Sequence, residues 1–273
     1  MGARWRADFH LFHTERQEHM DIKILAGKRA VVTGASSGMG AAIARRFAAE
    51  GADIWAVGGA DAEGLNKTVE DCAESGVQSG GAGYDFSRAR AAEDAVREGA
   101  EFLGGLDILV NCAGGRVFKG ILDITDDEID FMYELNTKSL FYSCREAARI
   151  MTRQKSGHIL NMGSVAGIQA SADRSLYCTT KAAVHLLTKC LALELGPLGI
   201  QVNCLAPGLV DSGRVKVRLA ANPEYAEKRI SQIPVRRLGD PENIASTTLF
   251  IVSPENKFMN GAIVSINGGV SAG

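Results

Sequence analysis

The run Arg29-Ala30-Val31-Val32-Thr33 passes directly into Gly34-Ala35-Ser36-Ser37-Gly38-Met39-Gly40, and a helical pattern follows from Ala41 to Glu50. No other stretch constrains the fold as tightly. A short β-branched run reads as a buried strand. A glycine loop set between such a strand and a helix is the context in which dinucleotide phosphates are bound. Gly34 allows the tight turn, Gly38 lets the backbone approach a pyrophosphate, and Gly40 lets the helix pack closely so that its N-terminal amides face the anion. Gly34, Ser36, Ser37, Gly38, Met39 and Gly40 are therefore candidate cofactor-binding residues.

The same alternation runs on along the chain. Ile54 to Val57 reads as a second strand, Asp61 to Ser75 as a helix, Val77 to Tyr84 as a glycine-diluted third strand and Ala91 to Leu103 as a helix. Leu106 to Val110 is a fourth strand leading into Asn111-Cys112-Ala113-Gly114-Gly115, whose small residues let backbone pass against a cofactor. Asp126 to Arg153 is a long, bent helix with Asn136 in its middle, where asparagine has poor propensity. His158 to Met162 is a fifth strand, Ser175 to Leu195 a helix, Ile200 to Leu205 a sixth strand closed by Ala206-Pro207-Gly208, and Ala262 to Ile266 the last strand. Residues 209–234 read as a mobile polar segment. With no break in composition, the pattern predicts one α/β domain over residues 20–273, a Rossmann-type doubly wound parallel sheet with helices on both faces.

The second strand ends in Gly58-Gly59, without the acid that would bond a ribose 2′-hydroxyl and without an arginine for a 2′-phosphate. Asp61, beyond it, reads as the cap of the next helix. With no repelling carboxylate at Gly58, NADP(H) is favoured over NAD(H), although no cation stands at Ser36, Ser37 or Gly59 either.

Within the helix beginning at Ser175, Tyr177 and Lys181 lie one turn apart on the same face. A free phenol is a poor proton donor or base near neutrality. A neighbouring ammonium favours the phenolate and makes proton exchange with a substrate hydroxyl feasible. Ser164, earlier in the chain, is placed to hold the substrate oxygen at the tyrosine.

Bulk properties exclude other classes. A formal charge of −2 leaves no basic footprint for nucleic acid or an anionic membrane, and no apolar run approaches the ~18 residues of a span. Six cysteines without a C-x-x-C pair read as reduced thiols of a cytoplasmic protein, with no metal site. Residues 1–19, with Arg4, Arg6, Glu15, Arg16 and Glu18, lack the apolar core of a secretory signal. Met20-Asp21-Ile22-Lys23 reads as a natural start, and the leader as a flexible extension or an upstream start-codon artefact.

Together these motifs resemble the short-chain dehydrogenase/reductase family over residues ~21–273, and within it the 3-oxoacyl-carrier-protein reductase-like and the sugar-acid or polyol dehydrogenase-like members. The glycine loop is similar to the family's cofactor loop, and Asn111-Cys112-Ala113-Gly114 to its Asn-Asn-Ala-Gly segment with cysteine second. The resemblance implies that Asn136, Ser164, Tyr177 and Lys181 form a catalytic tetrad and that Asp85, followed by Phe86, contacts adenine. It further implies that Pro207-Gly208, Val210 and Ser212 run beside the nicotinamide, Ser212 standing where threonine is common. Ser164 would polarise a carbonyl, Tyr177 exchange the proton, Lys181 bond the nicotinamide ribose, and Asn136 position a relay water. The implied reaction interconverts a ketone and a secondary alcohol. Reduction, of a 3-oxoacyl compound among others, is favoured over oxidation of a sugar acid or polyol, and a non-catalytic cofactor-binding regulator is the remote alternative. The family also implies a homotetramer. Arg116, Arg174, Arg214, Lys216 and Arg218 are cations expected near the mouth of the site, suited to a carboxylate, a phosphate or an acidic carrier.

Overall fold

The structure is a computed structural model that describes residues 23–272, without the side chains of Arg214, Lys216 and Arg218; the expectations for residues 1–19 lie outside the described residues. Seven strands form one all-parallel sheet: β1 (Arg29–Thr33), β2 (Asp53–Gly58), β3 (Ser79–Gly83), β4 (Ile108–Asn111), β5 (Gly157–Met162), β6 (Ile200–Pro207) and β7 (Ile263–Ile266). Their order is β3-β2-β1-β4-β5-β6-β7. The order reverses between β1 and β4, and there the carboxyl ends of the strands open a crevice.

Both faces are buried because the strands are apolar on both sides. Ala30 and Val32 of β1 pack with Ile54, Ala56, Leu160 and Leu205 under α1 (Gly38–Ala49) and α9 (Pro241–Val252). Val31 points the other way, among Trp55, Leu109, Ile159 and Val202, beneath α3 (Ala91–Leu103), α5 (Ser139–Gln154) and α6 (Ser175–Leu195). Successive strand residues point to opposite faces, so continuous apolar runs such as β1 and β4 demand cover on both sides.

Three elements differ from the sequence expectation or refine it. The long helix is α4 (Asp126–Tyr133) and α5 joined by one π-helical turn, Glu134–Lys138, centred on Asn136. Residues 209–234 are not an irregular segment: they carry α7 (Gly213–Ala220) and α8 (Pro223–Ser231). The second starts from Asn222, whose side chain accepts from Tyr225 N, with proline at the first helical position. α9 has no counterpart in the sequence reading; Asp240 caps it and Pro241 opens it. α2 (Ala62–Ala73) is capped by Asp61, which accepts from Gly64 N at 2.9 Å, as expected.

Candidate active site

The site is built at the carboxyl edge, where the loops after β1 and β4 meet. Gly34 turns with φ of +70°, and a Cβ there would lie 2.9 Å from Ala113 N. A Cβ on Gly40 would lie 2.2 Å from the Gly34 carbonyl oxygen, so no larger residue fits without moving the backbone. Thr33 Oγ1 accepts from both Cys112 N and Ala113 N at 3.0 Å and fastens the two loops together.

These loops wall a cleft of about 820 Å³. Of the residues expected at the cofactor, Gly34, Ser36, Ser37, Gly38, Met39, Gly40, Gly58, Asp85, Phe86, Ala113, Gly114 and Ser212 line it. Gly59, Ala60, Asp61, Tyr84 and Cys112 line it too. The sequence reading did not name these as contacts, although they are chain neighbours of residues it did name. Asn111 lies elsewhere: buried, it donates to Asn161 Oδ1 at 2.9 Å and accepts from Ser143 Oγ at 2.7 Å, joining β4, α5 and β5. Val210 is buried and bridges to Gly239, while Gly208 N donates to Ile266 O and holds the Pro207-Gly208 turn on β7.

The cleft fits a dinucleotide on two counts. Ser37 is the N-cap of α1 but makes no side-chain cap bond, so the first-turn amides open towards the cleft, where an anion is favoured. Ser36 Oγ is buried and finds no hydrogen-bond partner among the described residues, a donor suited to a polar ligand at the end of β2. At the far end, Asp85 accepts from Ser87 Oγ at 2.6 Å and Ser87 N at 3.0 Å, bonds that hold its carboxyl below the usual range.

Asn136, only 4% exposed, gathers the remaining groups. Its Oδ1 accepts from Gly115 N at 2.8 Å, and its Nδ2 donates to Gly115 O at 3.0 Å and to Thr180 Oγ1 at 3.1 Å. Thr180 in turn donates to Tyr177 O at 2.9 Å. The π turn gives Asn136 this reach, since one extra residue in the turn rotates the side chain off the regular helix face. Lys181 Nζ donates to Met162 O at 2.8 Å and keeps further N–H donors, because an ammonium has three. Asn136 Oδ1 and Lys181 Nζ lie 3.1 and 3.6 Å from the Cβ position of Gly114, so both meet the cleft wall at that glycine. Asn111, Asn136, Ser139, Ser143 and Lys181 also line a small cavity of about 10 Å³, the size of one water.

Ser164 caps the turn Val165–Gly167, its Oγ accepting from Ala166 N at 3.1 Å. With that acceptor lobe engaged, the hydroxyl proton remains for an outside oxygen. Ser164 N donates to His185 Nε2 at 3.4 Å; His185 sits one turn beyond Lys181 on α6, and burial, with the Lys181 charge, holds its imidazole below the ordinary value. The Tyr177 ring meets Phe118 edge-on, centroids 5.5 Å apart at 81°. Arg174 lies over the Phe118 ring too, its guanidinium carbon 4.6 Å from the centroid, and that of Arg116 is at 5.9 Å.

The chain is similar to known proteins in sequence and fold. The family model described as enoyl-(acyl carrier protein) reductase matches residues 34–271. The 3-oxoacyl-(acyl-carrier-protein) reductase FabG of Vibrio cholerae is 34% identical over 246 residues, 90% of this chain and 98% of that protein. The 2,5-dichloro-2,5-cyclohexadiene-1,4-diol dehydrogenase LinX of Sphingobium indicum is 33% identical over 249 residues, 91% of this chain and 98% of that one. Among solved structures, a short-chain dehydrogenase from Burkholderia cenocepacia in complex with NADP superposes with a TM-score of 0.84 at 35% identity, covering 90% of this chain and 98% of its own.

Proposed function

The chain belongs to the short-chain dehydrogenase/reductase family, and on that premise we propose that it interconverts a ketone and a secondary alcohol with a nicotinamide dinucleotide, working chiefly as a carbonyl reductase. One observation carries the reading: Asn136 and Lys181 reach the wall of the dinucleotide cleft at Gly114, and Tyr177 stands one helical turn before Lys181.

When bound, the dinucleotide supplies or takes the hydride. The loops after β1 and β4 hold it, with Ser36, the α1 amides and Asp85 as polar contacts. Ser164 donates its hydroxyl proton to the carbonyl oxygen and fixes the carbonyl beside Tyr177. In reduction the phenol of Tyr177 gives its proton to that oxygen as the carbon becomes a carbinol; in oxidation the transfer runs in reverse. Lys181 places its charge and its spare donors next to the phenol. Asn136 holds Gly115 and Thr180, and through Thr180 the backbone of Tyr177.

NADP(H) is the preferred cofactor in this reading. β2 ends in Gly58 with no carboxylate there, and the nearest acid, Asp61, is engaged as the cap of α2. Self-association as a homotetramer is supported by apolar side chains left at the surface of α5 and α6, Phe141, Leu186 and Leu193. No helix among the described residues is long and apolar enough to cross a membrane.

The test is dinucleotide oxidation in the presence of a panel of 3-oxoacyl thioesters, cyclic ketones and open-chain ketones, by wild type and by Tyr177→Phe. The variant should bind NADPH as wild type does and lose turnover. Equal turnover by both proteins would remove Tyr177 from the chemistry.

A further inference from the structure

Resting on the ketone–alcohol reading above, we propose that the substrate is a small carbonyl compound bearing an anionic group, a carboxylate or a phosphate monoester, a few bonds from the reacting carbon. Arg174 is its anchor and Phe118 the plate that holds the anchor in place.

Arg174 directly precedes α6, three residues before Tyr177. Its guanidinium stacks on Phe118, and the same ring stands edge-on to the Tyr177 phenol. Anchor and proton donor thus contact the same aromatic ring. A second guanidinium, Arg116, approaches that ring as well, so positive charge converges on one wall of the reacting centre.

A guanidinium held over an aromatic ring still carries N–H donors at its periphery, the groups that grip a carboxylate or phosphate through two parallel hydrogen bonds. Arg174 has no carboxylate within ion-pair distance among the described residues. The nearby acids are placed differently: Asp173 Oδ1 and Asp123 Oδ2 lie 3.4 and 3.5 Å from the Cβ position of Gly120. Lys119, a neighbouring cation, is paired with Glu128 at 2.6 Å. A half-buried arginine fixed on a ring loses less side-chain freedom on binding than a solvated one, which is where a positioned charge gains its affinity.

The short separation also sets the size of the substrate. With the guanidinium carbon 4.6 Å and the phenol centroid 5.5 Å from one Phe118 ring, an anion at Arg174 stays within reach of a short substrate whose carbonyl meets Tyr177, as in a free oxo acid. The phosphate of a pantetheine thioester lies a whole extended arm from its carbonyl and would reach past this wall. The reading therefore narrows from carrier-bound thioesters to free anionic ketones and their hydroxy counterparts.

Matched pairs test this with the full chain and saturating NADPH: acetoacetate against methyl acetoacetate, 4-oxopentanoate against its methyl ester, and dihydroxyacetone phosphate against dihydroxyacetone. The charged member of at least one pair should exceed its neutral partner in kcat/KM by about tenfold or more. An advantage in the acid–ester pairs assigns a carboxylate, and one in the phosphate pair assigns a phosphate. Arg174→Gln should abolish the advantage, raising KM for the charged member far more than for the neutral one while NADPH binding and the melting temperature stay as in wild type, and Arg174→Lys should restore part of it. Phe118→Leu, which also alters the packing of Tyr177, should raise KM for the charged member more than for the neutral one. Equal or better use of the neutral partner, or an advantage that survives Arg174→Gln, would overturn the assignment. So would a panel in which no charged member is turned over or raises the melting temperature of the NADPH-bound protein. Failure to bind any dinucleotide would instead strike the functional reading, and this inference with it.

Discussion

Replacing Asn136 with alanine removes three hydrogen bonds at once, and their fates differ. Gly115 loses the partner of its N–H and of its carbonyl, at 2.8 and 3.0 Å. Gly115 is half-buried, so water recovers part of each loss, and about 1 kcal/mol apiece is the fitting end of the usual range. Thr180 Oγ1 is buried and loses a donor, but it keeps its own bond to Tyr177 O, a smaller cost. Against these stands the better helix propensity of alanine, at most ~0.7 kcal/mol. The losses win, by about 1.5–2 kcal/mol. For a domain of this size each kcal/mol moves Tm by about 2–4 °C, so Tm should fall by roughly 3–8 °C. Turnover should fall by about tenfold or more, because a loss of ~1.4 kcal/mol in holding Tyr177 and the Gly114-Gly115 segment already costs that much. Calorimetric melting of wild type, Asn136→Ala and Asn136→Asp, beside turnover of the best ketone, checks both. The aspartate, which keeps the acceptor for Gly115 N, should fall between the others. A melting temperature within ~1 °C of wild type together with normal turnover would refute the claim that Asn136 ties the cleft wall to α6.

Other expectations follow from single contacts. Gly40→Ala should cost about 1–3 kcal/mol in stability and weaken NADPH binding, since its Cβ would meet the Gly34 carbonyl oxygen at 2.2 Å; an isothermal titration that shows wild-type affinity would count against the close approach of α1 to the loop. Asp61→Asn should keep the α2 cap and leave the NADPH-to-NADH affinity ratio within about twofold, whereas a tenfold move towards NADPH would make Asp61 a reader of the ribose. Burial holds His158 and His185 below the ordinary imidazole value, with Lys28 and Lys181 adding to it respectively. As pH falls below about 6.5 the unfolded chain therefore takes up protons that the folded chain refuses, so stability present above that pH is lost beneath it; melting temperatures that rise on acidification through this window would contradict the burial of both rings.

Much of this was legible in the chain because the signals are local. β1, the glycine loop and α1 are contiguous, and the turn geometry demanded of Gly34 and Gly40 follows from what each must pass. Tyr177 and Lys181 needed only helical periodicity. Asp61 carried a cap signature that the structure bears out. The failures have physical causes too. α9 is apolar on most sides, with Ile244, Ala245, Leu249, Ile251 and Val252 all buried, so it lacks the polar stripe that makes a helix visible. α8 carried its signal in Asn222-Pro223, but its weakly apolar body masked it. The π turn at Asn136 is a tertiary result: poor propensity marked the place, and only Gly115 and Thr180, brought from two other segments, define what the side chain does there. The contact of Arg174 with Phe118 joins positions far apart in the chain, and from the sequence Arg174 was only one of five cations expected near the mouth.

The central claim, that these loops hold a nicotinamide dinucleotide against Tyr177, is tested most directly by titrating the purified chain with NADPH and NADH side by side, following cofactor fluorescence and the shift in melting temperature. Saturable binding of both, tighter for NADPH, is the predicted result. Binding of neither would contradict the account at its foundation.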